Sequence, residues 1–438
     1  MSRPKTRYII IFGILVALQL VTLFSSPSSF NEADSSAINT ADTAWMIVAT
    51  AFVLFMTPGL SFFYGGMVSY KNVISTMLQS FIALGVISLI WYMFGFSLAF
   101  GESFHGFIGN PLTFFGFNNV GLAPNPDFSA TIPFLIFALF QLKFAIITPA
   151  LITGSFAERV KFTSYLVFMI LFSILIYSPL AHWTWHPEGF LRQWGVLDFA
   201  GGSVVHMSAG FAALAGAVVL GKRENSMRQP ANIPFIILGT GMLWFGWFGF
   251  NAGSALSASS LSVQAFATTN MASASAMITW VMFDALVGRR ISAIGACIGA
   301  VVGLVAITPA AGYVSVGQSV FIGFIAAIVS NLAVYYKQRT SLDDTLDVFP
   351  CHGVGGIVGM VLTAVFAKDV GLIYGETTTF LYHLLALVIV SGYTFFGAWL
   401  IYKLIGFITS LRVTREEEHV GLDISQHSET LHVMPSNN

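Results

Sequence analysis

The chain has few charged residues and almost no cysteine. Of its 438 residues, 19 are Lys or Arg and 20 are Asp or Glu, so charged side chains make up 9% and the net charge is −1. A soluble protein of this length could not cover its surface with so few charges, and the balanced charge gives no reason to expect nucleic acid as a partner. The two cysteines, Cys297 and Cys351, lie in apolar segments, which predicts buried thiols and not a disulfide framework.

The chain also lacks the residue spacings of metal sites and hydrolytic enzymes. Zinc generally takes three or four protein ligands, and no third His, Cys or acidic residue accompanies the buried histidines at ligand spacing. There is no H-E-x-x-H segment and no nucleophile–base motif. We therefore predict no metal, no cofactor and no enzymatic activity.

What the chain has in abundance is apolar sequence. Hydrophobic residues make up 56% of it and the mean hydropathy is +0.79. Runs of about 20 apolar residues, each long enough to span a bilayer as a helix, recur throughout, and no alternating strand pattern appears. This predicts an all-α polytopic membrane protein with eleven transmembrane helices, at roughly 43–68, 73–100, 132–157, 164–183, 203–220, 233–254, 268–287, 290–307, 318–336, 348–367 and 380–408.

The distribution of basic residues predicts the orientation of these spans. Lys and Arg collect on the cytoplasmic side of membrane proteins. The connections after the odd-numbered spans hold ten of them, against Arg192 and Lys368 on the other side. The ten are Lys71, Arg159, Lys161, Lys222, Arg223, Arg228, Arg289, Arg290, Lys337 and Arg339. The core is therefore predicted to be N-out and C-in.

Three regions follow from this pattern. Residues 1–42 begin with basic residues and the apolar run Tyr8–Phe24, which is typical of a signal peptide or, if it is not cleaved, a signal anchor, with an external linker. Residues 43–408 form the membrane domain, and residues 409–438 form a cytoplasmic tail. The expected location is the cell inner (plasma) membrane, as a multi-pass protein.

Two segments place titratable groups inside the apolar core. In LDFAGGSVVH (197–206), Asp198 lies at the outer end of span 5, where it can cap the helix or attract an external cation. His206 follows eight residues later, about 12 Å along a helix, which places it near mid-bilayer. Ionisable residues in a membrane are costly and are functional candidates. Glycines beside them, as in GVGGIVG (353–359), favour close helix packing.

A second histidine, His352, occupies the matching place on span 10. Hydropathy alone puts it nearer the cytoplasmic face, because Asp347 precedes it by only five residues. Spans 5 and 10 correspond if spans 1–5 and 6–10 are inverted halves of one fold, a common transporter plan. A lone buried histidine is usually a satisfied core residue, but two at equivalent places suggest a functional pair.

Aromatic residues gather near the predicted outer ends of spans 3, 4 and 6. Phe140 and Phe144 are four residues apart and share a helix face. Most aromatic residues in such a chain anchor or fill the membrane. A cage of aromatic faces would nevertheless attract a small cation by about 0.5–2 kcal/mol per contact, and the Ser254 hydroxyl could accept one of its hydrogens.

These segments together resemble the ammonium transporter family. The resemblance rests on LDFAGGSVVH, GWFGFNAGSA, DVFPCHGVGGIVG and the tail SLRVTREEEHVGLDISQHSET, and extends from about residue 43 to about 430. It implies an eleven-helix, N-out fold with inverted five-helix halves, assembled in the lipid membrane as a homotrimer with one pore per subunit. The permeant would be ammonium or ammonia, with methylammonium as an analogue.

The resemblance also assigns roles to residues of this chain. The outer recruitment site would consist of Phe140, Phe144, Trp185 and Ser254, with Asp198 beneath it; the gate would be Phe144 over Phe250; and the pore would hold Trp247, His206 and His352. The cytoplasmic vestibule and tail, with Asp347, Gly421 and Asp423, would receive a PII-type signalling protein. Lys143, beside the gate, departs from the neutral residue expected there.

The implied mechanism uses the one property that separates ammonium from potassium, which is that ammonium can release a proton. The cation would be held at the aromatic cage and deprotonated, and ammonia would cross a hydrophobic pore while the imidazoles relay the proton. Whether that proton also crosses stays open at this point. The alternative function is an ammonium sensor with little transport; such proteins usually carry an extra cytoplasmic domain, and this tail has about 30 residues.

Overall fold

The computed structural model of the protein describes residues 12, 13, 15–17, 20, 37–224 and 229–431. Within these residues, eleven main helices follow one another. They are α1 (Thr40–Met67), α2 (Tyr70–Phe100), α3 (Phe134–Phe156), α4 (Phe162–Gln193), α5 (Gly202–Leu220), α6 (Ile233–Gly253), α7 (Ser260–Leu286), α8 (Ala293–Ile307), α9 (Val316–Lys337), α10 (Phe349–Phe366) and α11 (Thr377–Ile408). The predicted leader, residues 1–42, falls mostly outside the described residues.

Nine of these helices are long and apolar enough to cross a membrane, which confirms the helical membrane class among the described residues. The other two are α7, which is 27 residues long but rich in Ser and Thr, and α8, which has 15 residues. The predicted start of span 7, residue 268, was late because the first turns of α7 carry polar side chains; its helix begins at Ser260. The count of eleven transmembrane spans stays a prediction.

Local sequence explains where several helices start. The side chain of Asn39 accepts hydrogen bonds from the amides of Ala41 and Asp42 at the start of α1, and Asn232 does the same for Phe235 in α6. Such side-chain caps satisfy amides that have no partner inside the helix. Short antiparallel strands connect α2 to α3: β1 (Ser103–Phe104) with β2 (Ile108–Gly109), and β3 (Pro124–Asn125) with β4 (Ser129–Pro133).

Helices α5 and α10 both begin with a wide π-helical turn, at Gly202–Met207 and Phe349–Val354. Such turns are rare and are frequent at functional sites. Each contains one of the two buried histidines, and α5 and α10 pack directly against each other through Gly210 and Gly353. The histidines are therefore brought together by the starts of two helices that come from different parts of the chain.

The tail is docked on the membrane domain. After α11, residues 411–413 pair with the loop that follows α3. Lys161 N donates to Leu411 O (2.8 Å), and Val413 N donates to Arg159 O (3.1 Å). A short helix, α12 (Arg415–Val420), starts with a capping box on Thr414.

The two cysteines, Cys297 and Cys351, are both free and buried, which confirms the prediction of buried thiols.

Candidate functional site

The start of α3, the end of α4, the start of α5 and the end of α6 surround a cavity of about 430 Å³. Phe144, Trp185, Asp198 and Ser254, four of the five residues predicted to bind the substrate, line it. The fifth, Phe140, is fully buried behind Phe144, with 4.9 Å between the ring centroids. Phe144 and Trp185 meet edge to face at 5.8 Å. The structure therefore brings the five residues together.

Asp198 acts as the cap of α5. Its Oδ1 accepts the amides of Gly201 and Gly202, both at 2.7 Å, and its Oδ2 accepts the amide of Ser203 at 2.7 Å and the Ser203 hydroxyl at 2.5 Å. The backbone carbonyl of Asp198 accepts the indole N–H of Trp185 at 3.1 Å. The same residue thus fixes the start of α5, which carries His206, and the position of a cage ring.

The floor of the cavity is a pair of phenyl rings in contact. The ring centroids of Phe144 and Phe250 are 4.1 Å apart with an interplanar angle of 32°. This is close to van der Waals contact, so no water fits between the two rings. Both side chains are almost fully buried. The two rings therefore leave no passage between them in this structure.

His206 and His352 lie below the gate and touch each other. Their Nδ1 atoms are 3.3 Å apart, and both side chains are buried. The His206 ring stacks on Trp247 at 5.3 Å and lies 6.1 Å from the Phe250 ring. Hydropathy alone placed His352 nearer the cytoplasmic face than His206, but in the structure it lies in the first turn of α10, directly beside His206.

Thr308, which the sequence analysis missed, defines the proton positions on this pair. Its hydroxyl donates to Leu304 O (2.8 Å) and accepts the indole N–H of Trp247 (2.9 Å), which leaves a lone pair facing His206 Nε2 at 3.3 Å. From this network we assign the proton of neutral His206 to Nε2. Its Nδ1 then accepts from His352 Nδ1–H, and His352 Nε2 keeps a free lone pair.

The sequence analysis also missed Asp344. The spacing of the residues could have indicated it, because Asp344 precedes His352 by eight residues, as Asp198 precedes His206. It is fully buried and caps the start of α10 by accepting the amides of Val348 (3.2 Å) and Phe349 (2.8 Å). Asp347, which is predicted to be regulatory, forms an ion pair with Lys337 at 2.5 Å.

A cluster of buried charges holds the segment before α10 in place. Arg223 pairs with Glu158 at 2.5 Å and with Asp343 at 2.8 Å. Burial alone would raise the pKa of the Asp343 carboxyl, but the hydrogen bonds and charge of Arg223 lower that pKa well below its usual value. Glu158 also accepts the amide of Ser69 at 2.7 Å, which links the cluster to the loop after α1.

Gly421 and Asp423, the predicted regulatory residues of the tail, both contact the first turns of α2. The carboxylate of Asp423 accepts the amides of Ile74 (3.1 Å) and Ser75 (2.7 Å). Burial raises the pKa of this carboxyl, and the amide hydrogen bonds oppose that shift. Gly421 has φ +107°, and a Cβ there would lie 2.6 Å from Lys71 O.

Lys143 is half-buried in the outer half of α3. It is not among the described residues that line the outer cavity, whereas its neighbour Phe144 is. Consecutive helix residues point about 100° apart, so Lys143 and Phe144 face different surroundings. The departure at Lys143 therefore leaves the cavity lining unchanged.

Comparison with known proteins identifies the family. Residues 44–431 match the model of the Ammonium Transporter Family. The chain is 45% identical over 403 residues to a putative ammonium transporter of Methanothermobacter thermautotrophicus, which covers 90% of this chain and 98% of the relative. It is 44% identical over 410 residues to an ammonium transporter of Aquifex aeolicus, and this match covers 92% of this chain and 96% of the relative.

Solved structures agree with this. The S453D mutant of Candida albicans Mep2 superimposes with a TM-score of 0.84 at 35% identity, covering 93% of this chain and 95% of the other. A protein named Sensor Amt Protein superimposes with a TM-score of 0.81 at 31% identity, and the match covers 88% of this chain and 98% of the other. The matched residues, 44–431, include the cavity, the histidine pair and the docked tail described above, and the chain belongs to the ammonium transporter family.

Proposed function

We propose that the protein binds ammonium at the outer cage, removes its proton and conducts ammonia through the pore past the two histidines. The observation that carries this proposal is the column of rings. Phe144 and Phe250 close the entrance in contact at 4.1 Å, and His206 and His352 lie directly below with their Nδ1 atoms 3.3 Å apart. An ion that enters such a passage loses its water, and the described side chains of this column offer it aromatic and imidazole rings in place of carboxylates.

Selectivity then follows from whether the permeating ion can release a proton, and not from the diameter of the pore. Potassium has a radius similar to that of ammonium but has no proton to release, so it remains charged at the phenyl gate. Ammonia is neutral, and the imidazoles offer it hydrogen-bond partners in an otherwise apolar passage. With the assigned tautomers, the chain from Thr308 through His206 to His352 has a continuous direction of hydrogen bonds, which suits proton relay.

A direct test is uptake of labelled methylammonium by cells that lack their own ammonium transporters and express this protein. We expect uptake well above that of cells with the empty vector, and competition by ammonium. The sensor alternative predicts binding of ammonium with uptake no higher than in the vector control. Fold neighbours include a protein with a sensor name, and this measurement separates the two functions.

We expect the proton to cross as well, so that transport carries charge. In liposomes that contain the purified protein, addition of ammonium chloride should produce an inward current of positive charge that scales with the amount of protein. The physical reason is the touching histidine pair, which offers a path for a proton beside the path for ammonia. Uptake that persists while the current stays absent would contradict this expectation.

The topology we propose is eleven spans, N-out and C-in, with α1–α5 and α6–α10 as inverted halves. Two matching contacts support the duplication. The residue after Asp198 donates its amide to the end of α8 (Phe199 N to Pro309 O, 3.1 Å), and the residue after Asp344 donates to the end of α3 (Thr345 N to Ser155 O, 2.9 Å). The division into leader (1–42), membrane domain (43–408) and tail (409–438), and the inner membrane location, belong to the same proposal.

The proposed assembly is a homotrimer in lipid, with one pore in each subunit. Apolar side chains are exposed on neighbouring faces of the membrane helices, where a second copy or lipid can cover them. Examples are Leu54 and Phe55 on α1, Phe245 on α6, and Val263 and Phe266 on α7. Native mass spectrometry of the detergent-solubilised protein tests the trimer directly.

We further propose that a PII-type signalling protein binds the cytoplasmic face, where Asp347, Gly421 and Asp423 lie close to the loops that it would contact. Gly421→Ala should release the tail from the first turn of α2, since its Cβ would lie 2.6 Å from Lys71 O in a backbone of φ +107°. We expect faster tryptic cleavage near Arg412 and Arg415 and weaker PII binding.

The matched control for this variant is Gly375→Ala. Gly375 also has a positive φ of +93°, but a Cβ there meets nothing within 4 Å. If both variants behave alike, the effect comes from backbone strain and not from the contact with Lys71. Unchanged flux and unchanged PII binding in Gly421→Ala would reject the regulatory role of the docked tail.

A further inference from the structure

One carboxylate of the outer cavity is open to solvent at the entrance. Asp127 lines the cavity and is exposed. It lies in the turn between β3 and β4, before α3 begins at Phe134, whereas the cage residue Phe144 lies ten residues into that helix, about 15 Å further along its axis. A cation that arrives from outside therefore meets Asp127 before it reaches the cage.

The hairpin that carries Asp127 fixes its position. The side chain of Asn125 accepts the amide of Asp127 at 2.9 Å, which forms an Asx turn. The next residue, Phe128, packs its ring against the rings of Phe134 and Phe137, with centroids 5.8 and 5.7 Å apart. The turn and the Phe128 ring together hold the carboxylate at the edge of the cavity.

Among the described residues, the charged groups that line the cavity are Asp127, Arg192 and Asp198. The carboxylate of Asp198 already accepts three amides at 2.7 Å and the Ser203 hydroxyl at 2.5 Å, so its lone pairs are engaged at the start of α5. Arg192 donates to the Trp185 carbonyl at 2.7 Å, and its positive charge repels an incoming cation. The Asp127 carboxylate has no ion pair or hydrogen bond within the part of the chain that the structure describes, so its charge is free to offset that of Arg192.

A hydroxyl group in the same cavity supplies a neutral acceptor. Tyr313, in the loop between α8 and α9, lines the cavity, and its ring meets Phe199 edge to face at 5.4 Å. Its hydroxyl is open to the cavity, unlike the enclosed oxygens of Gln141 and Thr184, and it has no hydrogen-bond partner among the described residues. A phenolic oxygen can accept an N–H group, so it can replace one water molecule of the hydrated ammonium ion.

We propose that the outer cavity captures ammonium before the cage does, through the charge of the Asp127 carboxylate and the hydroxyl oxygen of Tyr313. This inference rests on the proposed function and adds two capture residues to it. A carboxylate attracts potassium as well as ammonium, so capture raises the local concentration of cations and leaves the choice between them to the gate. Asp127 and Tyr313 therefore set the concentration at which uptake is half-maximal, and not the maximal rate.

The test is the half-saturating concentration of methylammonium in cells that lack their own ammonium transporters, where the proposed topology turns the outer cavity toward the medium. It is measured at ionic strengths of about 0.01 M and about 0.15 M, at which charges are screened over about 30 Å and about 8 Å, with sucrose keeping the osmolarity constant. For Asp127→Asn we expect a rise of about fivefold at the lower ionic strength, the upper range for an exposed charge pair. The rise should be smaller at the higher ionic strength, and the maximal rate should not change.

Further variants separate charge from hydrogen bonding. Asp127→Glu keeps the charge and should behave like the unmodified protein, whereas Asp127→Lys reverses the charge and should raise the half-saturating concentration further than Asp127→Asn does. Tyr313→Phe removes only the hydroxyl. We expect it to raise the half-saturating concentration about threefold, within the range for one hydrogen bond, and equally at both ionic strengths, because a hydroxyl carries no net charge for salt to screen.

The matched control is Asp369→Asn, which removes the same charge from an exposed residue of the loop between α10 and α11, outside the described cavity lining. It should leave the half-saturating concentration unchanged. An unchanged value in Asp127→Asn, or an equal rise in both aspartate variants, overturns the capture role of Asp127. An unchanged value in Tyr313→Phe overturns the role of Tyr313. A lower maximal rate with the same half-saturating concentration also overturns the proposal, since it would show that these residues only support the fold.

The outcome also separates this inference from the function on which it rests. If the unmodified protein takes up no methylammonium, the transport function fails. Capture is then tested by the concentration of ammonium chloride that half-maximally stabilises the purified protein against thermal unfolding, which should rise in Asp127→Asn and stay constant in Asp369→Asn. If the unmodified protein transports and Asp127→Asn has the same half-saturating concentration, transport stands and capture by Asp127 is rejected.

Discussion

His206→Ala is expected to reduce ammonium flux by at least about 100-fold, the lower range for loss of a positioned proton-transfer group. The imidazole of His206 connects Thr308 and His352, with 3.3 Å on either side. An alanine breaks this chain of hydrogen bonds directly under the phenyl gate. The measurement is the flux of ammonium and of potassium into liposomes that contain the purified protein.

Potassium is the comparison ion in this experiment. The unmodified protein should pass ammonium and exclude potassium, because potassium cannot lose its charge at the gate. In His206→Ala we expect neither ion to pass, since Phe144 and Phe250 remain in contact. Ammonium flux that survives in this variant, or potassium flux through the unmodified protein, would contradict transport by deprotonation.

The control is His105→Ala, which removes an exposed imidazole from the external loop between β1 and β2. It should leave both fluxes unchanged. An equal loss of flux in the two variants would point to general damage and not to the pore. Thermal unfolding of each purified variant shows whether His206→Ala still folds.

Much of this architecture follows from local sequence. The bounds of most helices were predicted to within a few residues because hydropathy is a local property and the caps that end the runs are polar. The spacing of Asp198 and His206 within one segment was readable for the same reason. The largest departures are the start of α7, whose first turns are polar, and the end of α4, which was predicted at residue 183 and lies at Gln193.

The contacts that complete the pore are not local. Thr308 is 102 residues from His206 in the chain, and nothing in its surrounding sequence indicates a partner. Asp344 could have been found from the repeated spacing of eight residues before each histidine, a signal that becomes visible when both halves are compared.

The paired starts of α5 and α10 explain why these long-range contacts are precise. Each start combines a buried aspartate that accepts several amides with a π-helical turn that carries the histidine. A capped helix start is rigid because its free amides are satisfied. These two starts meet and hold the imidazoles at hydrogen-bond distance, with 3.3 Å between their Nδ1 atoms.

The second prediction with a large expected effect concerns the close contact between α5 and α10. Gly210→Ala places a Cβ 2.2 Å from Gly353 N and 2.3 Å from Gly353 Cα, which are backbone atoms and cannot rotate away. Helices α5 and α10 must separate to accept it, and His352, next to Gly353, moves with α10. Overpacking of this kind costs about 1–3 kcal/mol or more. We expect a lower midpoint of thermal unfolding and strongly reduced methylammonium uptake.

Gly392→Ala is the matched control. Gly392 lies within α11, and a Cβ there meets nothing within 4 Å. Because alanine is favoured over glycine inside a helix by about 0.5–1 kcal/mol, this variant should unfold at the same or a higher temperature and transport normally. The two substitutions are chemically identical, so opposite shifts in the unfolding midpoint isolate the crossing of α5 and α10. A Gly210→Ala protein that melts and transports like the unmodified one would show that the separation of the pore helices is not critical for the histidine pair.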